Sequence, residues 1–143
     1  MRLDEFESKK AVCEYLKETE GLKTVKECEK YLRQHLPLEK HYQGRIIKAI
    51  EKSFPNAFVY KSAAGPYMRA GIPDVIAIIG GRFYGFEVKR PFIGKLSAIQ
   101  LATIKAIRNA GGVAEVVSFP AEVEAIIIKN MNEEEMAYGY GNR

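Results

Sequence analysis

The chain has 143 residues, 47% of them hydrophobic and 28% charged, with a formal net charge of +4. Those values suit one ordinary globular domain with a proper core, and no apolar run approaches the roughly 20 residues of a membrane span. The start, MRLDEFESKK, is too charged for a secretory signal, so the cytoplasm is the expected compartment.

Charge is uneven along the chain. Residues 1–38 hold 8 Lys/Arg against 8 Asp/Glu, residues 39–130 hold 13 against 7, and residues 131–143 hold 1 against 3. The basic middle segment fits a polyanionic partner and equally fits a solvated surface. Cys13 and Cys28 belong to no CxxC pair, so zinc spacing is absent. In a reducing compartment they are expected as small apolar helix residues rather than a disulfide.

In chain order, residues 4–18 predict a helix with Phe6, Val12, Cys13 and Leu16 near helical spacing and Gly21 beyond its end. A second helix starts from Thr24 as N-cap, with Glu27 as its capping-box partner, and ends near His35 before Pro37. Neither carries a chemical motif, and both read as structural or as an interaction surface. A longer helix spans about 39–54, with Ile46, Ile47, Ile50 and Phe54 as its apolar stripe. Extended backwards, that stripe reaches Gln43 and Glu39. Two polar residues on a buried face suggest a site, although a glutamate in a first turn also simply complements the helix dipole.

Ala57–Ser62 predicts a strand, followed by the loop AAGPYMRAG. In a phosphodiester-binding protein Ser62, Tyr67 and Arg69 would contact substrate there; otherwise the loop is a polar connection. Two apolar runs, Val75–Ile79 and Phe83–Val88, then flank Gly80-Gly81, the signature of a tight hairpin. A turn centred on that pair sets Ile79 opposite Arg82, Ile76 opposite Gly85 and Asp74 opposite Glu87. Lys89, two residues beyond Glu87, shares their face. Directly opposed like charges destabilise a sheet, and a divalent cation between them reverses that sign.

Further on, Ser97 and Gln100 form a capping box, with Leu96 and Leu101 as hydrophobic staple. Leu101, Ile104 and Ile107 are expected to face inward, and Gly111-Gly112 ends this helix. Val113–Ser118 predicts a strand and Ala121–Asn130 a short helix after Pro120, while the aperiodic residues 131–143 are expected to be a mobile tail. The strand-helix-strand crossover implies a mixed sheet with at least one parallel pair.

A Pro-Asp, a turn and then Glu-x-Lys at a strand end has the form of a metal-dependent phosphodiesterase site. Hard cations such as Mg2+ take oxygen ligands, which Asp74, Glu87 and the backbone carbonyl of Val88 supply. Lys89 is placed to orient the attacking water and to stabilise charge on the phosphorus centre. The competing reading is a salt bridge at a strand end, with Glu87 paired to Lys89 and Asp74 solvated.

The segment from Glu39 to Asn130 resembles the VRR-NUC (virus-type replication-repair nuclease) family of the PD-(D/E)xK superfamily. The resemblance is carried by EKHYQ, AGIPDVIAI, FEVKRP, GKLSAIQ and NAGGVAEVV. It implies an α/β restriction-endonuclease-like core, α-β-β-β-α-β, spanning residues 39–130, with residues 1–38 as accessory helices. It implies Mg2+ or Mn2+ as cofactor, Asp74 and Glu87 as metal ligands, Glu39 as an additional one, Lys89 as the catalytic lysine and Gln100 as a further site residue. Gln100 also has a complete explanation as a cap. Gln43, Ser62, Tyr67, Arg69, Arg90 and Lys95 are the candidate DNA contacts.

The implied activity is a DNA endonuclease, bacterial or phage-encoded, acting as a homodimer on branched, flap or Holliday-junction DNA in replication, repair or phage DNA processing. A helicase or other replication protein is a further implied partner. The alternative is a non-catalytic DNA-binding module or assembly subunit that retains the nuclease fold.

Overall fold

The structure is a computed structural model describing residues 2–63 and 65–131; of the expected mobile tail, residues 132–143 lie outside the described residues. A 3-10 helix (Leu3–Glu5) precedes α1 (Lys9–Glu20), α2 (Val25–His35), α3 (Glu39–Ser53), β1 (Phe58–Lys61), β2 (Val75–Ile79) and β3 (Arg82–Val88). There follow α4 (Ala98–Asn109), β4 (Val113–Val117) and α5 (Pro120–Asn130). Among the described residues no helix is long and apolar enough to cross a membrane.

The strands form one sheet in the order β1-β2-β3-β4, antiparallel except for the parallel β3–β4 pair. This is the mixed α/β arrangement the sequence predicts. Gly80 and Gly81 adopt φ of 57° and 76°, the two positive values that a tight type I′ turn demands. The turn fixes the register: Ile79 opposes Arg82, Ile76 opposes Gly85 and Val75 opposes Phe86. The next pair outward is Asp74 and Glu87, so the expected juxtaposition follows from the turn alone.

One sheet face is covered throughout, whereas the other is covered only over β3 and β4, leaving Phe58, Tyr60 and Ile78 of β1 and β2 exposed. Tyr42, Ile46 and Ile50 of α3, with Val123 and Ile127 of α5, pack on Val75, Ala77, Tyr84 and Phe86. On the opposite face, the one carrying Glu87, α4 lies over β3 and β4. Its inward stripe is Thr103 and Ile104, both buried, flanked by the half-buried Gln100 and Ile107, whereas Leu101 is 41% exposed. The expected inward position of Leu101 is therefore wrong by one helical step of about 100°. Gln100 therefore heads the inward stripe, and its side chain reaches Glu87 on the sheet.

The N-terminal helices differ from expectation in two ways. Phe6 is extended, which separates the 3-10 helix from α1, and α1 begins only after Ser8, whose hydroxyl accepts from the Ala11 amide at 3.0 Å. Cys13 and Cys28 form a disulfide where two separate thiols were expected. The inward stripes of α1 and α2 bring them together: Val12, Leu16, Cys28, Leu32 and Leu36 form one cluster, and Cys13 packs against it.

That cluster is completed by Phe92 and Ile93, from the loop after β3. The helical pair is thus seated on the exit of the strand that bears Glu87 and Lys89. A second tie runs through Asp4, whose carboxylate accepts from the Tyr42 hydroxyl of α3 at 2.8 Å with both residues buried.

Candidate active site

Three elements converge where β2 begins and β3 ends. The hairpin register places Asp74 and Glu87 side by side, the capping box of α4 brings Gln100 from one side, and the N-terminal end of α3 brings Glu39 and, one turn on, Gln43 from another. Asp74 accepts from the Val88 amide through Oδ2 at 2.8 Å, which holds its carboxylate across the hairpin end.

Glu87 is 2% exposed. Its Oε1 accepts from the side-chain amide of Gln100 and lies 3.6 Å from Lys89 Nζ. Its Oε2 is buried and has no hydrogen-bond partner among the described residues. Gln100 caps its own helix and touches Glu87 at once. Its carbonyl oxygen accepts from Ser97 N at 3.0 Å while Ser97 Oγ accepts from Gln100 N at 3.1 Å, and its NH2 group reaches Glu87.

The electrostatics are those of crowded acids. Burial, then the neighbouring Asp74, pushes Glu87 up to about 7, with Glu39 adding to the effect and Lys89 opposing it. Burial likewise raises Asp74, against the Val88 amide and the Lys89 and Lys61 charges. Glu39 is raised by burial and by Asp74, and drawn back by Lys89, Arg90 and Lys61. Each carboxylate is harder to ionise here than in water, and a further positive charge beside it would oppose that.

Whether the donor set fits a cation follows from its unsatisfied atoms. Glu87 Oε2 and Gln43 Oε1 are buried without partners among the described residues, and both are acceptors, which a cation or its water satisfies. Among the described residues no three His, Cys, Asp or Glu side chains already enclose a metal-sized space. Glu39 therefore stands outside direct enclosure with the pair, reaching Gln43 Nε2 at 3.5 Å. An open pair of carboxylates suits Mg2+, which keeps several waters and takes one or two carboxylates plus substrate oxygens. The residues fit a hard divalent ion bound in that open manner.

Among solved structures, the chain is similar to one described as "VRR_NUC domain", at 24% identity and a TM-score of 0.54, covering 65% of this chain and 97% of that one. The fold is that of a VRR_NUC domain. No protein-family model and no curated protein matches the sequence.

Within this VRR_NUC fold the remaining candidates separate. A cleft of about 400 Å³ opens beside Asp74, lined among others by Gln43, Lys61, Ser62, Met68 and Arg69. Tyr67 is 98% exposed in the same loop, and Lys95 is also exposed, near Glu29. Ser62 is half-buried and structural: its hydroxyl donates to the Pro73 carbonyl at 2.7 Å and its amide to the Asp74 carbonyl at 2.8 Å. It ties the loop to the hairpin rather than presenting a free donor.

Arg90, expected at the DNA, is instead engaged with backbone carbonyls. Its Nε donates to Pro37 at 2.9 Å, and Nη2 lies 2.9 Å from the carbonyls of Leu36 and Arg33 and 3.3 Å from that of Leu32. Lys61 is the residue the sequence reading missed. It ends β1 opposite Val75, so it stands beside Asp74 and its charge reaches both Asp74 and Glu39. Its position could have been found by extending the hairpin register to the preceding strand.

Proposed function

We propose that the chain is a metal-dependent DNA endonuclease of the VRR-NUC type, hydrolysing phosphodiester bonds with Mg2+ or Mn2+. The observation that carries this reading is Glu87: a buried carboxylate set beside Asp74, held at Oε1 by Gln100 and Lys89, with Oε2 left without a partner among the described residues. A structural salt bridge needs neither the second carboxylate nor the unsatisfied oxygen. The likeness in fold to a solved VRR_NUC domain and the basic middle of the chain support the same reading.

Asp74 and Glu87 would hold the ion, with the Val88 carbonyl and a Glu39-bound water as further oxygen donors. When bound, such an ion lowers the pKa of its water and offsets charge on the phosphate. Gln100 and the Val88 amide fix the rotamers of Glu87 and Asp74, so the pair is preorganised. Lys89, 14% exposed at its side chain, is shielded from bulk water and directed at the carboxylate pair, where it stabilises charge on the attacked phosphate. Lys61 and Arg69, lining the adjoining cleft, give the incoming backbone its electrostatic hold, and the exposed Tyr67 of the same loop offers a surface on which a base can stack.

The test is cleavage of four labelled DNAs (a four-way junction, a flap, single strands and a plain duplex) with Mg2+, with Mn2+ and with EDTA. Asp74→Ala and Lys89→Ala should abolish cutting while the circular dichroism spectrum and much of the DNA affinity persist. Undiminished cutting by either variant, or in EDTA, would overturn the proposal, and preference among the four DNAs identifies the substrate.

A further inference from the structure

Arg90 follows the site lysine directly, yet its guanidinium turns to a different part of the chain. It sits on the last carbonyls of α2, from Leu32, Arg33 and Leu36, and on that of Pro37. A cation at a helix C-terminus meets both unpaired carbonyls and the negative end of the dipole. Pro37 is two residues before Glu39, where α3 starts, and the N-cap residue Leu38 offers no side-chain cap of its own. The link that launches Glu39 and Gln43 is therefore held from outside, by Arg90.

The other end of the brace is equally fixed. The amide of Lys89 donates to Val117 at 2.9 Å, the Ser118 hydroxyl donates to the Lys89 carbonyl at 2.7 Å, and the Gly94 amide donates to the Arg90 carbonyl at 3.1 Å. Two residues on, Phe92 takes a φ of 68°, a left-handed conformation that a bulky residue adopts only when its surroundings require it. Here the requirement is visible, because Phe92 and Ile93 insert into the apolar cluster of α1 and α2. Four donor–acceptor contacts and an apolar plug thus bind β3's exit to the α2–α3 link.

We propose that Arg90 is a positioning residue for the metal site, setting how closely Glu39 approaches the Asp74–Glu87 pair. The inference rests on the metal-site reading above and extends it: residues 1–38 become a part of the site's geometry rather than an appendage. Arg90 touches neither metal nor substrate and acts only through the link it holds.

Mn2+ binding to the full chain, followed by calorimetric titration without DNA, tests this apart from activity. Arg90→Lys, which keeps a cation but loses the planar fork, should weaken Mn2+ by about tenfold, the scale of lost support behind a metal ligand. In a Glu39→Gln background the same substitution should cost less than about twofold, because its effect is routed through Glu39. Pro37→Gly leaves every Arg90 donor in place and loosens only the link, and should reproduce both the loss and its dependence on Glu39. It carries the test if the Arg90 variant does not fold. Unchanged Mn2+ affinity in Arg90→Lys and Pro37→Gly, or equal losses with and without Glu39, overturns the positioning role while leaving the metal site standing. Failure of the wild-type chain to bind Mn2+ overturns the metal site itself.

Discussion

Gln100 donates to Glu87 with one end of its side-chain amide and caps its own helix with the other. The helix start and the site carboxylate are thereby one mechanical unit: the capping geometry that defines where α4 begins also defines where Glu87 points. Two substitutions separate the functions. Gln100→Ala removes both, and should lower stability by about 1 kcal/mol and metal-dependent cleavage by about tenfold. Gln100→Glu keeps an acceptor for the Ser97 amide but sets a carboxylate against Glu87. It should preserve the helix and move the rising limb of the pH–rate profile to higher pH, as a like charge raises the acid beside it. A wild-type pH–rate profile in both variants would show that the contact with Glu87 has no part in catalysis.

The state of Glu87 also predicts how stability responds to pH. With its carboxyl at about 7 in the folded chain, against about 4.3 for a free glutamate, the folded state binds more protons than the unfolded state between those values. The contribution is full below the unfolded pKa and is lost as pH rises through the folded one. In EDTA the melting temperature should therefore fall between about pH 4.5 and 7.5. Asp74 and Glu39, both raised, add to the same slope. Added Mg2+ should raise the melting temperature more at pH 8 than at pH 5, since the ion binds the ionised form. Glu87→Gln should make the metal-free slope shallower, leaving the part that Asp74 and Glu39 carry, and an unchanged slope would place the titrating group elsewhere.

A third expectation concerns how the loop before Asp74 is seated. Gly71 has φ of 82°, and a Cβ there would stand 2.6 Å from Ile99 Cγ2, 2.8 Å from Thr103 Oγ1 and 2.9 Å from the Ile99 carbonyl. Gly81 has a similar φ of 76° but nothing within 4 Å of such a Cβ. Gly81→Ala should thus cost only the left-handed backbone, about 1 kcal/mol. Gly71→Ala should cost that plus overpacking against α4, about 1–3 kcal/mol more, and should lower metal affinity by shifting Asp74. Chemical denaturation of the two variants reads the difference directly; equal costs would mean that the loop does not press on α4.

What was legible in the sequence follows from which interactions are local. The Asp74–Glu87 pairing needed only the Gly80-Gly81 turn and the alternation of a strand, and the Ser97–Gln100 box needed only a spacing of three. The spacing of Leu101, Ile104 and Ile107 points Leu101 inward, whereas the docking of α4 on β3 and β4 turns Gln100, Thr103 and Ile104 to the sheet. Arg90 was misread because its partners, 53 to 58 residues away, are fixed by how α2 docks on the loop after β3, a tertiary fact with no local pattern. The cysteines show a further limit. Their place on helical stripes is readable from spacing, whereas the bond between them depends on how α1 and α2 face each other, which no local pattern encodes.

The Asp4–Tyr42 contact gives the last prediction. The Asp4 side chain is 3% exposed, with the Tyr42 hydroxyl at 2.8 Å from Oδ2 and Arg2 Nε at 3.6 Å from Oδ1. Tyr42 is wholly buried, and its phenol is held well above its ordinary range by burial first and by Asp4 second. Tyr42→Phe removes the donor and leaves a desolvated carboxylate behind, which should cost about 1–3 kcal/mol. Removing both partners in Asp4→Leu with Tyr42→Phe removes the stranded group as well, and should recover much of that loss. Because Tyr42 lies one residue from Gln43 on α3, the single variant should also reduce Mn2+ affinity more than the double variant does. Equal denaturation midpoints for single and double variants would show that Asp4 is adequately solvated without the phenol, and would remove this contact from the forces holding the N-terminus on α3.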